Sequence, residues 1–279
     1  MVALLRAPFE VRSVTMSTQR TAARVGRRLV MALGLPIVLF VLWWVLSADS
    51  TSFYMPPLAD ILSEFRELWL GSAVGSDVVP SLTRLAIGFA VAVVGGVGLG
   101  VLLGSVEVLR RAFEPLLEFF RAVPAPVLVP VLMLFAGIGD TMKVLVIASG
   151  CIWPILLNSV EGVRSIDPVM LDVCRSYRVG GAARMRHLVL RSASPQIMAG
   201  IRQSLSIGLI LVVISEMFAP TNGLGFSIVT FQRQFAIPEM WSGIVLLGLI
   251  GFVLAMIFAV IERRVLRWYF GLRDARKKG

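Results

Sequence analysis

Repeated apolar runs long enough to cross a lipid bilayer are the strongest constraint on the fold of this chain. A helix needs about 20 apolar residues to cross the hydrocarbon layer. Charged residues make up only 16% of the sequence and hydrophobic residues 57%, whereas a soluble domain usually carries about 25% charged residues. The runs and the shortage of charge together predict an all-α polytopic membrane protein.

Six transmembrane helices are predicted from these runs. Five runs qualify or come close, at residues 29–46, 82–103, 144–157, 197–218 and 244–261. Residues 127–136 are short, and they form a further span, third in chain order, only with the chain from Pro115 through a break at Pro124 and Pro126. A broken helix must bury its freed backbone groups in protein or water, so this span is expected inside the bundle. The first run is longer than a signal-peptide core and lacks a clear cleavage site, so it is interpreted as an uncleaved span.

The arginines predict the orientation of the chain. Dense basic clusters precede the first span and follow the second, fourth and sixth, whereas the alternate connections hold only Arg66, Lys143 and Arg233. Loops on the cytoplasmic side carry the excess of Lys and Arg, so both termini are expected in the cytoplasm. The net charge of +10 is therefore interpreted as an orientation signal, and no nucleic-acid partner is expected.

Two further helical patterns concern packing. Residues 56–70 place Leu58, Ile61, Leu62, Phe65, Leu68 and Trp69 on one face, which predicts an amphipathic helix that lies on the membrane surface or packs across the bundle. In the second span a ridge of small residues recurs at every fourth position, at Gly88, Ala92, Gly96, Gly100 and Gly104. Such a ridge lets helix backbones approach closely. The pattern leaves open whether the partner helix belongs to the same subunit or to another.

No catalytic constellation or metal site is predicted. His187 is the only histidine, which excludes histidine-based metal sites and nucleophile–histidine pairs within the membrane. The phosphate-binding pattern G-x-x-x-x-G-K-[ST] is absent, so the chain is not expected to bind ATP in that way by itself. Glu216 lies near the outer end of the fifth span and is a candidate for the transport pathway, with a structural carboxylate as the alternative. Asp140 is expected in a short outer turn.

A short basic segment between the fourth and fifth spans has the features of a docking site. It reads DVCRSYRVGGAARMRHLVLRSASP from residue 172 to residue 195, with a Gly-Gly pair. An ordinary cytoplasmic connection is the alternative, but the segment is longer and carries more apolar positions than topology requires. The predicted docking residues are Asp172, Cys174, Arg178, Gly180, Gly181, Arg184, Arg186, His187, Leu188 and Leu190.

The chain resembles the membrane-spanning permease subunits of binding-protein-dependent ABC importers, and most closely their nitrate/sulfonate/taurine branch. The resemblance covers roughly residues 81–268. It rests on stretches that follow one another in order, SLTRLAIGFAVAVVGGVGLGVLLG, RAVPAPVLVPVLMLFAGIGD, NSVEG, SEMFAPTNGLG and ERRVLRW. The resemblance implies a type I importer permease fold, with a core at residues 81–262 and a coupling loop at residues 161–196.

The loop signature of that family, E-A-A-x3-G-x9-I-x-L-P, is only partly kept. Its first three positions fall on Asp172, Val173 and Cys174, and its aliphatic pair falls on Leu188 and Leu190. The turn glycine and the final proline of the signature are replaced by two arginines, Arg178 and Arg191. Gly180 and Gly181 lie just beyond and are expected to supply the permissive turn.

The resemblance implies a function and partners. It implies a homodimeric pore in a bacterial inner membrane, two cytoplasmic ABC ATPase subunits that bind the ATP, and an external solute-binding protein. The solute is expected to be small, such as nitrate, a sulfonate or taurine, and this subunit is not itself expected to be an enzyme or to hold a cofactor. A stand-alone secondary transporter and a non-transport membrane scaffold or enzyme are the alternatives.

The remaining regions complete the predicted organisation. Residues 1–28 form an arginine-rich cytoplasmic tail that is expected to contact anionic lipid. Residues 29–47 form the first transmembrane helix, residues 48–80 an external segment with the amphipathic helix, and residues 263–279 a basic cytoplasmic tail.

Overall fold

A computed structural model describes residues 34–35, 37–71, 73–218 and 221–276. Most of these residues lie in helices, and the described part of the chain contains no β-strand. The chain divides into two compact units, Met1–Ile61 and Leu62–Gly279. The predicted all-α class is therefore confirmed.

The first unit contains one complete described helix, α1 (Ile37–Ser47). The run predicted as the first span, residues 29–46, lies partly outside the described residues, as does the whole tail at residues 1–28. Helix α1 is by itself shorter than a helix that crosses a bilayer. The hydroxyl of Ser47 accepts a hydrogen bond of 3.1 Å from the backbone N–H of Leu58, where α2 (Leu58–Trp69) begins.

The second unit consists almost entirely of helices joined by short connections. The longer helices are α3 (Val79–Ser105), α4 (Glu107–Ala122), α5 (Leu128–Ala136), α6 (Asp140–Arg164), α9 (Leu190–Phe218) and α11 (Ile237–Val265). The shorter ones are α7 (Pro168–Ser176), α8 (Gly181–Arg184), α10 (Leu224–Arg233) and α12 (Arg267–Arg276). Single π-helical turns at Val74–Val78 and Met185–Val189 lead into α3 and α9. Helix α2 lies where the amphipathic pattern predicted a helix.

Among the described residues, four helical segments are long and apolar enough to cross a membrane: Val74–Ser105, Asp140–Arg164, Gly181–Phe218 and Ile237–Val265. A fifth span exists if the pair Glu107–Ala122 and Ala125–Ala136, bent by 79°, crosses as one element. The predicted count of six is therefore not reproduced in full, because the described part of the first run is too short. The predicted break in the third span is present, and Pro124 and Pro126 lie in it.

Helices α3 and α6 pack closely along the glycine ridge. A Cβ atom at Gly88 would lie 2.8 Å from Ile147, one at Gly96 2.9 Å from Ile155, one at Gly100 2.5 Å from Ser159 and one at Gly104 2.8 Å from Val163. Ala92 of the same ridge is fully buried. These pairs keep one register along both helices, so α3 and α6 run parallel, and the ridge contacts a helix of its own chain.

Helix α9 runs in the opposite direction and packs on the same α6. Gly200 of α9 lies against Pro154 and Asn158, and Gly208 lies against Cys151. Because α3 and α6 are parallel, the chain between them must return along the length of the bundle. The bent pair α4–α5 makes that return, so it crosses the bundle as one broken element.

Substitution of the two glycines Gly100 and Gly98 tests the close packing. Gly100→Ala is expected to lower the free energy of unfolding by about 1–3 kcal/mol, because the new methyl group would meet Ser159 and the Leu156 carbonyl oxygen. Gly98 lies on the same helix with no atom within 4 Å of its Cβ position. Gly98→Ala is therefore the matched control and is expected to be neutral or to stabilise by up to about 1 kcal/mol through helix propensity. Thermal unfolding in detergent measures both, and equal stability of the two variants would contradict the packing described here.

Candidate functional site

A group of charged and polar side chains, called here the charged cluster and defined as Ser81, Arg84, Asp140, Lys143 and Glu216, lies at the end of the bundle where α3 and α6 begin. Its members are buried except Asp140, whose side chain is 71% exposed. The Arg84 guanidinium donates hydrogen bonds to Asp140 Oδ1 at 2.8 Å and to Glu216 Oε1 at 2.7 Å. The Ser81 hydroxyl lies 2.7 Å and 2.9 Å from the two oxygens of Glu216. The Arg84 side chain is 4% exposed and that of Glu216 is fully buried, so water contributes little to the solvation of this pair.

The charged cluster also holds the connector between α9 and α10. Backbone N–H groups of Leu224 and Gly225 donate to Ser81 Oγ at 2.9 Å and to Glu216 Oε2 at 3.0 Å. Arg84 donates to the backbone carbonyl of Asn222 at 3.1 Å and also to its side-chain oxygen. Three long helices and the connector are therefore joined at one point.

Lys143 extends this network. Its ammonium donates to Thr221 Oγ1 at 2.9 Å and approaches the Asn222 carbonyl oxygen at 3.4 Å. Gly223 takes a left-handed φ of 119° and donates its N–H to Asp77 Oδ1 at 3.0 Å. A side chain at residue 223 would collide with the Glu216 carboxylate, so the turn requires glycine.

At the opposite end of the bundle, the chain between α6 and α9 forms two short helices, α7 and α8. Residues 165–189 are called the α7–α8 segment. Asp167 caps α7 by accepting a hydrogen bond of 2.9 Å from the N–H of Val169. Large apolar side chains of this segment are exposed, including Val169 at 65%, Met170 at 52% and Tyr177 at 80%. Arg184, Arg186 and His187 are also exposed. The free surface of the segment is therefore both apolar and basic.

The base of this segment is packed firmly on the bundle. One buried apolar cluster joins the segment to three long helices. It contains Val163 and Ile166 at the end of α6, Val189, Ala193 of α9 and Val101 of α3. Leu171, Met185 and Leu188 pack against the same cluster. A displacement of α7 or α8 would therefore be transmitted to the ends of three long helices, because packed cores resist deformation.

A cavity of about 530 Å³ opens in the middle of the bundle, at the break between α4 and α5. Residues from the break, from α6 and from α9 line it. Its polar side chains are Arg121, Asn158 and Gln203, and Trp153 contributes an aromatic wall. The ring of Trp153 stacks on Phe120 with centroids 5.9 Å apart and planes 6° apart.

The protein family that contains the charged cluster, the α7–α8 segment and the cavity follows from comparison with known families. A family model described as binding-protein-dependent transport system inner membrane component matches residues 96–267. The chain belongs to this family. It is therefore a multi-pass subunit of an inner-membrane transport system, and not an enzyme. The matched residues contain the cavity, the α7–α8 segment and much of the charged cluster.

Individual relatives agree with this assignment. The taurine transport system permease protein TauC of Escherichia coli strain K12 is 26% identical over 251 residues, covering 88% of this chain and 91% of that protein. The nitrate import permease protein NrtB of a Synechocystis strain is 26% identical, covering 82% of this chain and 86% of that protein. The predicted resemblance to ABC importer permeases of the nitrate/sulfonate/taurine branch is confirmed.

A solved structure shows the same fold. The inward-facing MetNI methionine ABC transporter matches with a TM-score of 0.58 and 19% identity, covering 68% of this chain and 94% of that chain. The predicted type I importer permease fold is therefore confirmed. The predicted number of six spans is not confirmed.

In the structure, Glu216 belongs to the charged cluster, whereas the predicted docking residues lie in the α7–α8 segment or directly after it. Glu216 is fully buried and bonded to Ser81, Arg84 and Gly225, and it does not line the cavity. Its pathway role stays a prediction, and the burial favours the structural alternative. The docking residues do lie together in one exposed segment, with Leu188 half-buried at its base.

Three charged residues of the cluster were either not predicted as site residues or predicted in a different element. Arg84 lies inside the predicted second span, where an arginine between apolar residues was itself a signal of a buried partner. Lys143 was assigned to a connection, but it is fully buried within α6. Asp140 is the first residue of α6 and not part of a turn, because the helix begins directly after Gly139.

The expected role of the Gly-Gly pair in the segment is also wrong. Gly180 has a φ of −57° and Gly181 begins α8, so neither supplies a left-handed turn. Arg178, at the position of the family glycine, itself adopts a φ of 48°. The backbone geometry expected of the family glycine is therefore retained at that position, although the side chain there is not glycine. A left-handed non-glycine residue costs roughly 1–2 kcal/mol.

Removal of the buried arginine tests the charged cluster. Arg84→Ala is expected to lower the free energy of unfolding by about 3–5 kcal/mol, because Glu216 would remain buried without its charge partner. Arg111→Ala removes an exposed arginine paired with Glu107 and is expected to cost no more than about 1 kcal/mol. Thermal unfolding in detergent measures both variants, and equal losses would show that the cluster does not stabilise the bundle.

Replacement of Arg178 tests the left-handed turn. Arg178→Gly is expected to stabilise the folded segment by about 1 kcal/mol, because glycine adopts positive φ without steric cost. Gly180→Ala, at an ordinary φ and with open space around its Cβ position, is the control and is expected to be nearly neutral. Slower amide hydrogen exchange in residues 168–184 of Arg178→Gly is the expected result. Faster exchange would contradict the turn geometry.

Proposed function

We propose that this chain is the pore-forming subunit of an ATP-driven importer for a small oxyanion, and that an ATPase docks on its α7–α8 segment. The exposed apolar and basic surface of that segment carries the proposal. Val169, Met170 and Tyr177 are large apolar residues outside the membrane-spanning helices. Their exposure is costly in water and is typical of a surface that a partner covers.

The docking site is placed where it can transmit motion. A short helix seated in a partner groove follows rigid-body movement of that partner. The base of the segment packs with Val101, Val163 and Ala193, so the movement would reach α3, α6 and α9 together. The sequence lacks the common phosphate-binding loop, which supports an ATPase on a separate chain.

The orientation follows from the same segment. Docking to an ATPase requires α7 and α8 in the cytoplasm, and the arginines near them agree with the excess of positive charge on that side. With α6 and α9 on either side of the segment, the charged cluster then faces outward. Both termini of the full chain are proposed to be cytoplasmic, and the external face is proposed to receive solute from a binding protein.

A second copy of the chain is proposed to complete the pore. Gln196, Gln203 and Ser206 lie at helical spacing on α9, and all three are exposed. Polar side chains within a span are costly against lipid and usually face protein or a water-filled cavity. Helix α11 differs, since the exposed large residues in its middle turns are apolar, for example Phe252, Met256 and Val260. We therefore assign α11 to lipid and the polar face of α9 to a path between two copies.

The solute class is inferred from the relatives. Taurine, which carries a sulfonate, and nitrate appear in the names of two of them, and both groups are oxyanions. A secondary transporter would be expected to hold more buried charged residues near the membrane midplane. Arg84, Lys143 and Glu216 instead lie paired at one end of the bundle, which favours the importer.

Reconstitution with the ATPase and binding protein of the same system tests this proposal. Taurine, ethanesulfonate or nitrate is expected to stimulate ATP hydrolysis. The double variant Arg184→Glu/Arg186→Glu is expected to lose at least tenfold in ATPase co-purification and in stimulated hydrolysis, because like charges would face a surface that accepts arginine.

Arg263→Glu/Arg264→Glu carries the same charge change on exposed residues of α11 and is the control, expected to stay near the unmodified level. Equal behaviour of the two double variants would exclude docking through α8. Uptake that needs no ATPase and follows an ion gradient would support a secondary transporter. Absence of any stimulated hydrolysis or uptake would leave the scaffold interpretation.

A further inference from the structure

The cavity at the break of the bent pair α4–α5 has the composition of an anion site. Its charged lining residue is Arg121, and no Asp or Glu lines it. We propose that Arg121, Trp153 and Gln203 form a contact site for the oxyanion group of the solute during its passage. This inference deepens the proposed function and rests on it for the direction of transport.

The depth of the cavity suits a point on a transport path. Gly150 and Asn158 of α6 line it, which places it between about 15 and 27 Å along a helix of about 37 Å at 1.5 Å per residue. On the other side it is bounded by Val123 and Pro124, where the α-helix is interrupted. Irregular backbone at such depth is tolerated where it is buried or lines a water-filled cavity.

The polar groups around the cavity are mainly donors. The guanidinium of Arg121 carries five N–H groups, and the indole of Trp153 has a donor and no acceptor. Within the described residues, neither the Trp153 indole N–H nor the Gln203 amide has a hydrogen-bond partner. The amide of Asn158 already donates to the Pro154 carbonyl oxygen at 2.8 Å. Free donors around one cation favour sulfonate or nitrate over a cationic solute.

The ion pair between Arg121 and Glu118 leaves the Arg121 guanidinium available to contact an anion. Its Nη2 donates to Glu118 Oε2 at 2.6 Å, and both side chains are more than half exposed. Exposed pairs of this kind contribute little free energy, and one bond uses one donor of the five. Glu118 does not line the cavity. The volume of about 530 Å³ exceeds that of a small oxyanion, so water shares the cavity and the contact stays weak enough to release the solute.

Charge-selective thiol labelling tests the site without any need for transport. In the full-length chain in membranes, Cys174→Ala removes the half-buried thiol, Cys151 stays because it is buried, and Gln203→Cys introduces the probe. Labelling rates are compared for methanethiosulfonate reagents that carry an ethylsulfonate or an ethyltrimethylammonium group, each normalised to its rate with free cysteine. We expect the sulfonate reagent to be favoured.

Variants of Arg121 then identify the source of that preference. Arg121→Gln is expected to lower the anion-to-cation rate ratio about tenfold, because a positive charge near the probe attracts the anionic reagent and repels the cationic one. Arg121→Lys keeps the charge and is expected to keep the ratio within about twofold. Arg111→Gln removes an exposed arginine of the same helix outside the cavity and is the matched control, with no expected change. Absence of labelling at residue 203, or a ratio that Arg121→Gln leaves unchanged, would overturn the proposal.

Uptake measurements separate this inference from the proposed function. In the reconstituted importer, Arg121→Gln is expected to lower ethanesulfonate uptake about tenfold relative to Arg111→Gln. Equal uptake by these two variants in an active importer overturns the contact site alone. Absence of ATP-dependent uptake by the unmodified chain overturns the proposed function, and the labelling ratio still decides whether the cavity selects anions.

Discussion

The close parallel contact of α3 with α6 is the constraint on which the other features of this protein depend. Glycines at every fourth position leave room for Ile147, Ile155 and Val163 of α6, so the two backbones approach closely. Two consecutive long helices that run parallel require the intervening chain to return. The bent pair α4–α5 makes this return, and the cavity lies at its break. The same contact brings the starts of α3 and α6 together, where Arg84 meets Asp140.

The two ends of the bundle differ in how they are held. At one end, buried hydrogen bonds to charged groups join Arg84 and Glu216 to the α9–α10 connector, and such bonds are strong and directional. At the other end, the α7–α8 segment packs on the helices through apolar side chains, and its outer surface is exposed. Apolar packing is not directional, so a displacement at the second end would break no directional bond, whereas a displacement at the first end would.

Some features were predictable because they are local in the chain. Apolar runs predicted the helices from 82 to 261, the prolines predicted the break in the third span, and the spacing of Gly88 to Gly104 predicted a close helix contact. The roles of Arg84 and Lys143 were not predictable in this way. Their partners, Glu216 and Thr221, lie 132 and 78 residues away along the chain, and a pattern in one span carries no information on which residue of another span it meets.

The sequence by itself determined the class of the protein, most of its long helices and the position of its basic segment, because hydropathy and charge act on each stretch of chain separately. Tertiary structure decided which groups act together. It brought Arg121, Trp153 and Gln203 to one cavity, buried Glu216 in an ion pair away from it, and made Arg178 adopt the left-handed turn expected of a family glycine. These outcomes depend on helix packing, which sets the distances and the burial that a linear pattern does not contain.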